Sequence, residues 1–220
     1  MIRVITIERE YGSGGPEIAR KVADRLGWKL WDQALTNEIA AVMECDCRVV
    51  EERAEKRDPL HYRLFRAFMR GSFEGSLNAP RLKMADADCI REVTERVVKR
   101  IAEKGNCVIV GRGSAYYLQD RKDAFHAFVY APVEEKIQRL QRDGKSAQEA
   151  AQLVETVDRD RGAFIKQHFH VEWPDRHRFD LMINSTIGED GVVDAILDGV
   201  HRLERRRTAS TASTPQHTGR

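Results

Sequence analysis

The segment with the clearest chemical potential is a run of glycines that follows the first apolar stretch of the chain. Gly12-Ser13-Gly14-Gly15, called the glycine turn below, contains three glycines in four residues. Glycine adopts positive φ values readily and lets a ligand approach the backbone closely. Successive N–H groups can then line one concavity that binds anions, and a following helix adds the positive end of its dipole. The turn therefore predicts a phosphate site, and a tight strand-to-helix connection is the alternative.

The glycine turn departs from the common nucleotide-binding patterns. Against G-x-x-x-x-G-K-[ST], Gly15 stands where the lysine would be. Glu17 takes the place of the third glycine of the dinucleotide fingerprint. The turn offers backbone donors only, so the positive charge must come from elsewhere. Arg9 is one candidate, although Glu8 and Glu10 flank it and could simply pair with it.

Other cations lie on predicted helices or follow predicted strands. One helix carries basic residues at i, i+3 and i+6: Lys136, Arg139 and Arg142. A longer helix alternates acids and arginines: Asp158, Arg159, Asp160 and Arg161. Such faces either bind an anionic ligand or form a solvated, salt-bridged surface. We expect Lys136 to lie on the surface and favour a functional role for Arg159 and Arg161.

The alternation of apolar runs with helical periodicity predicts how these residues are positioned. Strands are expected at 2–7, 28–31, 107–110, 125–130 and 181–183, with helices between them. Alternating strands and helices form a parallel α/β sheet with right-handed crossovers. Ligands bind such sheets at the carboxyl ends of the strands. This edge receives the glycine turn, Asp32 after the second strand and Arg112 after the third.

Two segments do not fit the alternation. Residues 46–85 are charged and irregular, with helical pieces expected near 48–57 and 60–70, and indicate an inserted subregion. Residues 205–220 lack apolar anchors and are expected to be disordered. They hold four of the 37 lysines and arginines and no acidic residue, so the rest of the chain has 33 basic and 35 acidic residues. A surface with that balance does not indicate nucleic-acid binding.

Composition indicates a soluble, cytoplasmic protein. Hydrophobic residues make up 41% of the chain and charged residues 33%, and no stretch approaches the ~20 apolar residues of a membrane helix. Cys45-Asp46-Cys47 has no second pair for a zinc site, and Cys89 and Cys107 read as core thiols.

Five segments together resemble the cytidylate kinase-like family, relatives of cytidylate kinase among the P-loop nucleoside monophosphate kinases. They span nearly all of residues 2–200 in the family's order and are 5–32, 108–118, 125–140, 157–169 and 179–197. The resemblance implies a three-layer P-loop kinase-type fold with a five-stranded parallel sheet. It places the domain at 1–204, with a monophosphate-binding insert at about 35–85 and a helical lid at about 143–162.

The resemblance also implies a reaction and a set of roles. The γ-phosphoryl group of ATP is transferred, with Mg²⁺, to a nucleoside monophosphate, CMP or dCMP above all. Gly12, Ser13, Gly14 and Gly15 would bind ATP. Asp32 and Arg112 would face the acceptor, although Asp32 could instead cap a helix and Arg112 could be an exposed loop residue. Cations stabilise the transferring group, and we predict that role for Arg9, Arg139, Arg159 and Arg161.

The sequence departs from the family in two places. Gly113 stands where cytidylate kinases have an aspartate after the Gly-Arg pair, which puts recognition of cytidine in doubt. Pro16 replaces a residue that is usually basic, so the loop has lost a cation. A nucleotide- or phosphate-binding regulatory protein without kinase turnover is therefore the alternative function. The sequence does not indicate the metal ligands or the oligomeric state.

Overall fold

A five-stranded parallel sheet forms the centre of the molecule in a computed structural model that describes residues 1–46 and 87–212. Its strand order is β2-β3-β1-β4-β5. The strands are β1 (Val4–Arg9), β2 (Lys29–Trp31), β3 (Cys107–Val110), β4 (Ala124–Tyr130) and β5 (Leu181–Asn184). β1 is central, and Ile5 pairs in register with Val108 and with Phe125. The predicted five-stranded parallel sheet is confirmed.

Helices cover both faces of this sheet, as predicted. They are α1 (Gly15–Leu26), α2 (Gln33–Asp46), α3 (Ala87–Lys104), α4 (Ser114–Tyr117), α5 (Val133–Arg142), α6 (Ala147–Phe169) and α7 (Glu189–Ala212). The one-turn helix α4 was not expected. No helix within residues 1–46 and 87–212 is long and apolar enough to span a membrane.

The two faces of β1 explain the three-layer packing. Ile5 and Ile7 point to one side and pack against apolar residues of α1 and α7. Val4 points to the other side and packs among residues of α2, α3, α4 and α6. Side chains of a strand alternate between faces, so Glu8 shares the face of Val4 and Arg9 shares that of Ile7. Both charged residues are buried at the carboxyl end of the strand.

The ends of the site-bearing helices follow from local sequence. Gly27 ends α1 at φ 64°, in the left-handed region that glycine adopts without penalty. Ser146 caps α6, because its side-chain oxygen accepts a hydrogen bond from the N–H of Glu149 at 3.1 Å. This bond is one of the two that make up a capping box.

The last helix is longer than we expected. α7 continues to Ala212, so the expectation of disorder was wrong for residues 205–212. Arg207 donates to the carbonyl of Lys122, and the N–H of Ile2 donates to the carboxylate of Glu204 at 2.6 Å. These hydrogen bonds anchor the end of α7 to the rest of the molecule, although this segment lacks apolar anchors. The rest of the expected tail, and the helical pieces near 48–57 and 60–70, lie outside the described residues.

Helix α7 packs so closely on β4 that one glycine has no room for a side chain. A Cβ at Gly199 would lie 2.8 Å from the Phe125 ring. We expect Gly199→Ala to lower the free energy of unfolding by about 1–2 kcal/mol, because overpacking outweighs the gain in helix propensity. Gly191→Ala is the matched control, since its Cβ would meet nothing closer than 3.4 Å. Urea denaturation of both variants measures the difference, and equal effects would contradict this account of the packing.

Candidate functional site

The glycine turn joins β1 to α1 with the backbone geometry that its composition predicts. Gly12 and Gly14 have φ values of 75° and 80°, in the left-handed region. Ser13 stabilises the turn, because its hydroxyl donates to the carbonyl of Glu10 at 2.8 Å. Gly14 is the N-cap of α1, and no side chain of the residues that the structure describes caps that helix end. The first turn of α1 is therefore an uncapped helix N-terminus, the kind of site that accepts phosphate.

Helix α5 packs directly on the glycine turn. A Cβ at Gly12 would lie 3.1 Å from the carbonyl oxygen of Lys136. The Lys136 ammonium is 2.9 Å from a carboxylate oxygen of Glu10 and 3.5 Å from one of Asp158. Lys136 is buried, so our expectation of a surface position was wrong. Its partners lie far away in sequence, and helical periodicity alone could not reveal them.

Arg9 lies at the end of β1 with its side chain inside the molecule. It is 3% exposed. The side chain runs beside Gly15, and the guanidinium reaches Gly111 in the loop after β3. This position is between the glycine turn and the carboxyl end of a neighbouring strand, the edge at which parallel α/β sheets bind ligands.

Arg112 follows β3 in an unusual loop. Gly111, Arg112 and Gly113 have φ values of 63°, 56° and 66°, three left-handed residues in succession. Such values are uncommon for residues other than glycine. Glycine at position 113 suits this backbone, which gives a physical reason for the departure from the family's aspartate.

The Arg112 side chain points inward and is fully buried, which excludes an exposed loop position. One guanidinium nitrogen donates to Asp32 and to the carbonyl of Val110, at 3.2 and 3.3 Å. The other donates to the Thr36 hydroxyl at 2.6 Å. Asp32 begins α2 through its carbonyl oxygen, which accepts from the N–H of Leu35 at 3.1 Å. Arg112 thus ties the start of α2 to the end of β3.

Helix α6 is tied to the glycine turn by an acid and an arginine. Asp158 accepts from the backbone N–H of Tyr11 at 2.8 Å and pairs with Arg161 at 3.2 Å. Arg161 also donates to the carbonyl of Arg9 at 3.2 Å. The Tyr11 ring packs between α5 and α6 with Leu140 and Val154. The loop before the glycine turn is thus held from two helices.

Glu8 completes a buried charged cluster with Arg9, Arg112 and Arg161. Burial raises the pKa of Glu8, although the three arginines and the N–H of Ala115 oppose it. Burial, and then repulsion from Arg9, lowers the pKa of Arg112 to about 10 and that of Arg161 to about 9. The three guanidinium groups therefore lie close enough to repel one another. Glu8 Oε1 and Arg112 Nε are buried without a hydrogen-bond partner among the described residues.

The two remaining predicted cations occupy different positions. The Arg139 guanidinium lies within 4 Å of a Cβ built on Gly14, and it donates to the side chain and carbonyl of Ser185 at 2.8 and 3.1 Å. It therefore borders the glycine turn. Arg159 is 59% exposed and lies 3.7 Å from Asp160. The structure places it outside the charged cluster, and its catalytic role stays a prediction.

Sequence reasoning did not place Asp158 in the site and treated Glu8 and Glu10 only as possible partners of Arg9. Tertiary packing brings Glu10 and Asp158 to Lys136 and Glu8 to Arg112 and Arg161. The predicted strand ended at residue 7, which left Glu8 in the loop, whereas the observed β1 continues to Arg9 and buries Glu8. Asp158 gave no signal, since acid and arginine alternate along that part of α6.

The chain belongs to the cytidylate kinase-like family, whose model matches residues 4–187. No curated protein with a matching sequence was found.

Solved structures confirm the P-loop kinase-type fold at low sequence identity. An uncharacterized protein from Eubacterium ventriosum has a TM-score of 0.66 and 21% identity, over 92% of this chain and 99% of that one. A gluconokinase from Sinorhizobium meliloti has a TM-score of 0.56 and 13% identity, over 94% and 97%. A shikimate kinase from Acinetobacter baumannii in complex with shikimate has a TM-score of 0.50 and 15% identity, over 90% and 92%.

The partly buried carboxyl group of Asp158 makes stability depend on pH. Burial raises its pKa from 3.8 to about 6, against the attraction of Arg161 and Lys136. The folded state therefore favours the protonated acid, and its contribution to stability is present below pH ~4 and lost as pH rises through ~6. At about 1.4 kcal/mol per pKa unit the loss is about 3 kcal/mol.

Asp158→Asn should remove this part of the pH dependence. Between pH 4 and 7 the free energy of unfolding of the wild type should fall more steeply than that of the variant. Asp24→Asn, at an exposed position of α1, should keep the wild-type slope. Parallel slopes for the wild type and Asp158→Asn, measured by urea denaturation across this range, would contradict the assignment.

Proposed function

We propose that the protein transfers the γ-phosphoryl group of ATP to a nucleoside monophosphate, with CMP or dCMP as the preferred acceptor. The observation that carries this proposal is the convergence of Arg9, Arg112 and Arg161, from three different elements, beside an uncapped helix N-terminus. Membership of the cytidylate kinase-like family supports the nucleotide as substrate.

The electrostatics of the cluster favour an anionic ligand. Repulsion among the guanidinium groups adds to the desolvation that lowers the pKa of Arg112 and of Arg161. Glu8 offsets the positive charge of these arginines only in part, because burial raises its own pKa. A phosphoryl group entering this site would relieve the repulsion and offer oxygens to buried donors. Preorganised cations in a site shielded from water stabilise the charge on a transferring phosphoryl group more strongly than they would in water.

The described elements suggest a division of roles. The glycine turn and Arg139 border the donor side, and Arg161 approaches from the lid. Asp32, held by Arg112, faces the acceptor side at the end of β2. In the transfer, an oxygen of the acceptor phosphate forms a bond to the γ-phosphorus. The bond from that phosphorus to the bridging oxygen breaks, and ADP leaves with the electron pair.

Magnesium fits the site only as a companion of the nucleotide. Among residues 1–46 and 87–212 no group of three histidine, cysteine, aspartate or glutamate side chains is arranged to hold a metal ion. Mg²⁺ in kinases is held by one or two carboxylates together with substrate phosphates. Asp32 is the carboxylate that we propose to hold a magnesium-bound water, and the ion would neutralise charge that develops between the phosphates.

Turnover with a panel of acceptors tests the proposal. We expect ADP formation from Mg-ATP in the presence of CMP or dCMP, at a rate above that with AMP, UMP or GMP. A coupled assay for ADP measures it, with ATP alone as the control. If none of these acceptors increased ADP formation, the proposed nucleoside monophosphate kinase activity would be overturned.

Substitution of the lid arginine tests the role of the cluster. We expect Arg161→Ala to lower kcat/KM by about 100-fold, because it removes a buried cation from the transferring group. Arg20→Ala, which removes an exposed arginine of α1, should leave kcat/KM unchanged. Arg159→Ala in the same assay decides whether the exposed lid arginine takes part. An unchanged kcat/KM for Arg161→Ala, with an unchanged melting temperature, would exclude Arg161 from catalysis.

Nucleotide binding without turnover is the second candidate function. Gly15 and Pro16 favour it, because the loop lacks two side chains that normally carry positive charge. An increase in melting temperature with ATP, together with background ADP formation for every acceptor, would support this reading over the first.

A further inference from the structure

Aligning the P-loop pattern with this chain shows that a glycine and a cation have exchanged positions. With the second glycine of G-x-x-x-x-G-K placed at Gly14, the first glycine falls on Arg9 and the lysine falls on Gly15. A cation stands where the pattern has glycine, and a glycine stands where it has the cation. The number of positive charges at these two positions is therefore unchanged.

The backbone gives no reason for glycine at position 15. Gly12 and Gly14 have positive φ values, whereas Gly15 is the first residue of α1 and is not among the left-handed residues. Space gives the reason. A Cβ at Gly15 would lie 2.7 Å from Cγ and 2.8 Å from Cβ of Arg9, closer than side-chain carbons approach. The stem of Arg9 fills the volume through which a side chain at position 15 would have to leave.

The far end of Arg9 is accommodated by a second glycine. A Cβ at Gly111 would lie 1.9 Å from Nη1 of Arg9. The guanidinium therefore lies against the loop after β3, next to Arg112. Two glycines, one at each end of the side chain, leave the path that Arg9 follows from β1 to this loop.

We infer that Arg9 and Gly15 are an exchanged pair, in which the Arg9 guanidinium contacts the terminal phosphates of the donor nucleotide in place of a P-loop lysine. The inference rests on the proposed function in one respect, that the donor phosphates bind at the glycine turn. It extends that function by assigning the phosphate-binding cation to β1 and a steric role to Gly15. A guanidinium suits this position, because it keeps its charge when buried and can bond two phosphate oxygens at once.

A double-mutant cycle measures the coupling between the two residues. Mg-ATP binding is titrated calorimetrically for the wild type, Arg9→Gly, Gly15→Ala and the double variant. Each single substitution should weaken binding by at least about tenfold, the effect of losing a charge-assisted hydrogen bond. The double variant should bind no more weakly than Arg9→Gly, because a Cβ at position 15 has nothing to displace once both the Cβ and the Cγ of residue 9 are removed. If Gly15→Ala weakened Mg-ATP binding equally with arginine and without arginine at position 9, the inference of an exchanged pair would be overturned.

Two controls separate phosphate contact from loss of structure. Gly162→Ala adds a methyl group to a helical glycine with no atom closer than 3.8 Å, and Arg20→Ala removes an exposed arginine. Both should bind Mg-ATP as the wild type does. Arg9→Ala should weaken binding of ATP and of inorganic tripolyphosphate while leaving binding of AMP unchanged. Equal weakening of ATP and AMP, or unchanged binding of ATP, would overturn the assignment.

Restoring the ordinary pattern provides the reverse test. Arg9→Gly combined with Gly15→Lys should bind Mg-ATP more tightly than Arg9→Ala does, and binding no tighter would overturn the exchange. The outcomes remain distinguishable from failure of the proposed function. If the wild type binds Mg-ATP but shows no turnover with any acceptor, only the proposed kinase activity is rejected. If turnover occurs but the effects of the two substitutions on Mg-ATP binding are additive, only the exchanged pair is rejected. A wild type that fails to bind Mg-ATP would reject both.

Discussion

The carboxylate of Asp158 is the group on which the arrangement of the site depends. It accepts from the Tyr11 backbone, pairs with Arg161 and lies near the Lys136 ammonium. Helices α5 and α6 therefore meet the loop after β1, which is distant in sequence, at one side chain. Without this carboxylate the bond from Arg161 to the Arg9 carbonyl would remain, but the Tyr11 N–H would lose its acceptor and Arg161 its pairing with Asp158. Burial raises the pKa of Asp158 against the attraction of Arg161 and Lys136, so keeping this carboxylate ionised costs stability above pH ~6.

The order of elements was predictable because it depends on local patterns. Continuous apolar runs, Gly27 after a periodic segment and Ser146 before Glu149 are signals that neighbouring residues carry together. The side-chain partners of the site were not predictable in this way. Lys136 has the spacing of a surface residue, yet it is buried against Glu10 and Asp158, both brought to it by tertiary packing. The length of α7 was underestimated for a related reason, since its last turns are anchored by polar contacts rather than by apolar residues.

The fold and the site carry different amounts of functional information. The sheet order and helical layers are shared with a gluconokinase and a shikimate kinase at 13% and 15% identity, and a shared fold does not fix the acceptor. Arg9, Gly15 and the Gly111–Gly113 loop are the places where this chain departs from the usual pattern. Membership of the kinase-like family suggests a nucleotide ligand, and the role we propose for these residues is to hold its phosphates.

The left-handed conformation of Arg112 affects how any substitution at that position must be read. A residue other than glycine in this region stores about 1 kcal/mol or more of backbone strain. The bonds from its guanidinium to Asp32 and Thr36 must exceed that amount. Truncating the side chain would remove those bonds and, at the same time, remove the restraint that keeps the backbone in place. A loss of activity in such a variant would combine the loss of the guanidinium charge with relaxation of the loop. Arg112→Gly would separate the two effects, because it deletes the side chain while glycine adopts the left-handed backbone without strain.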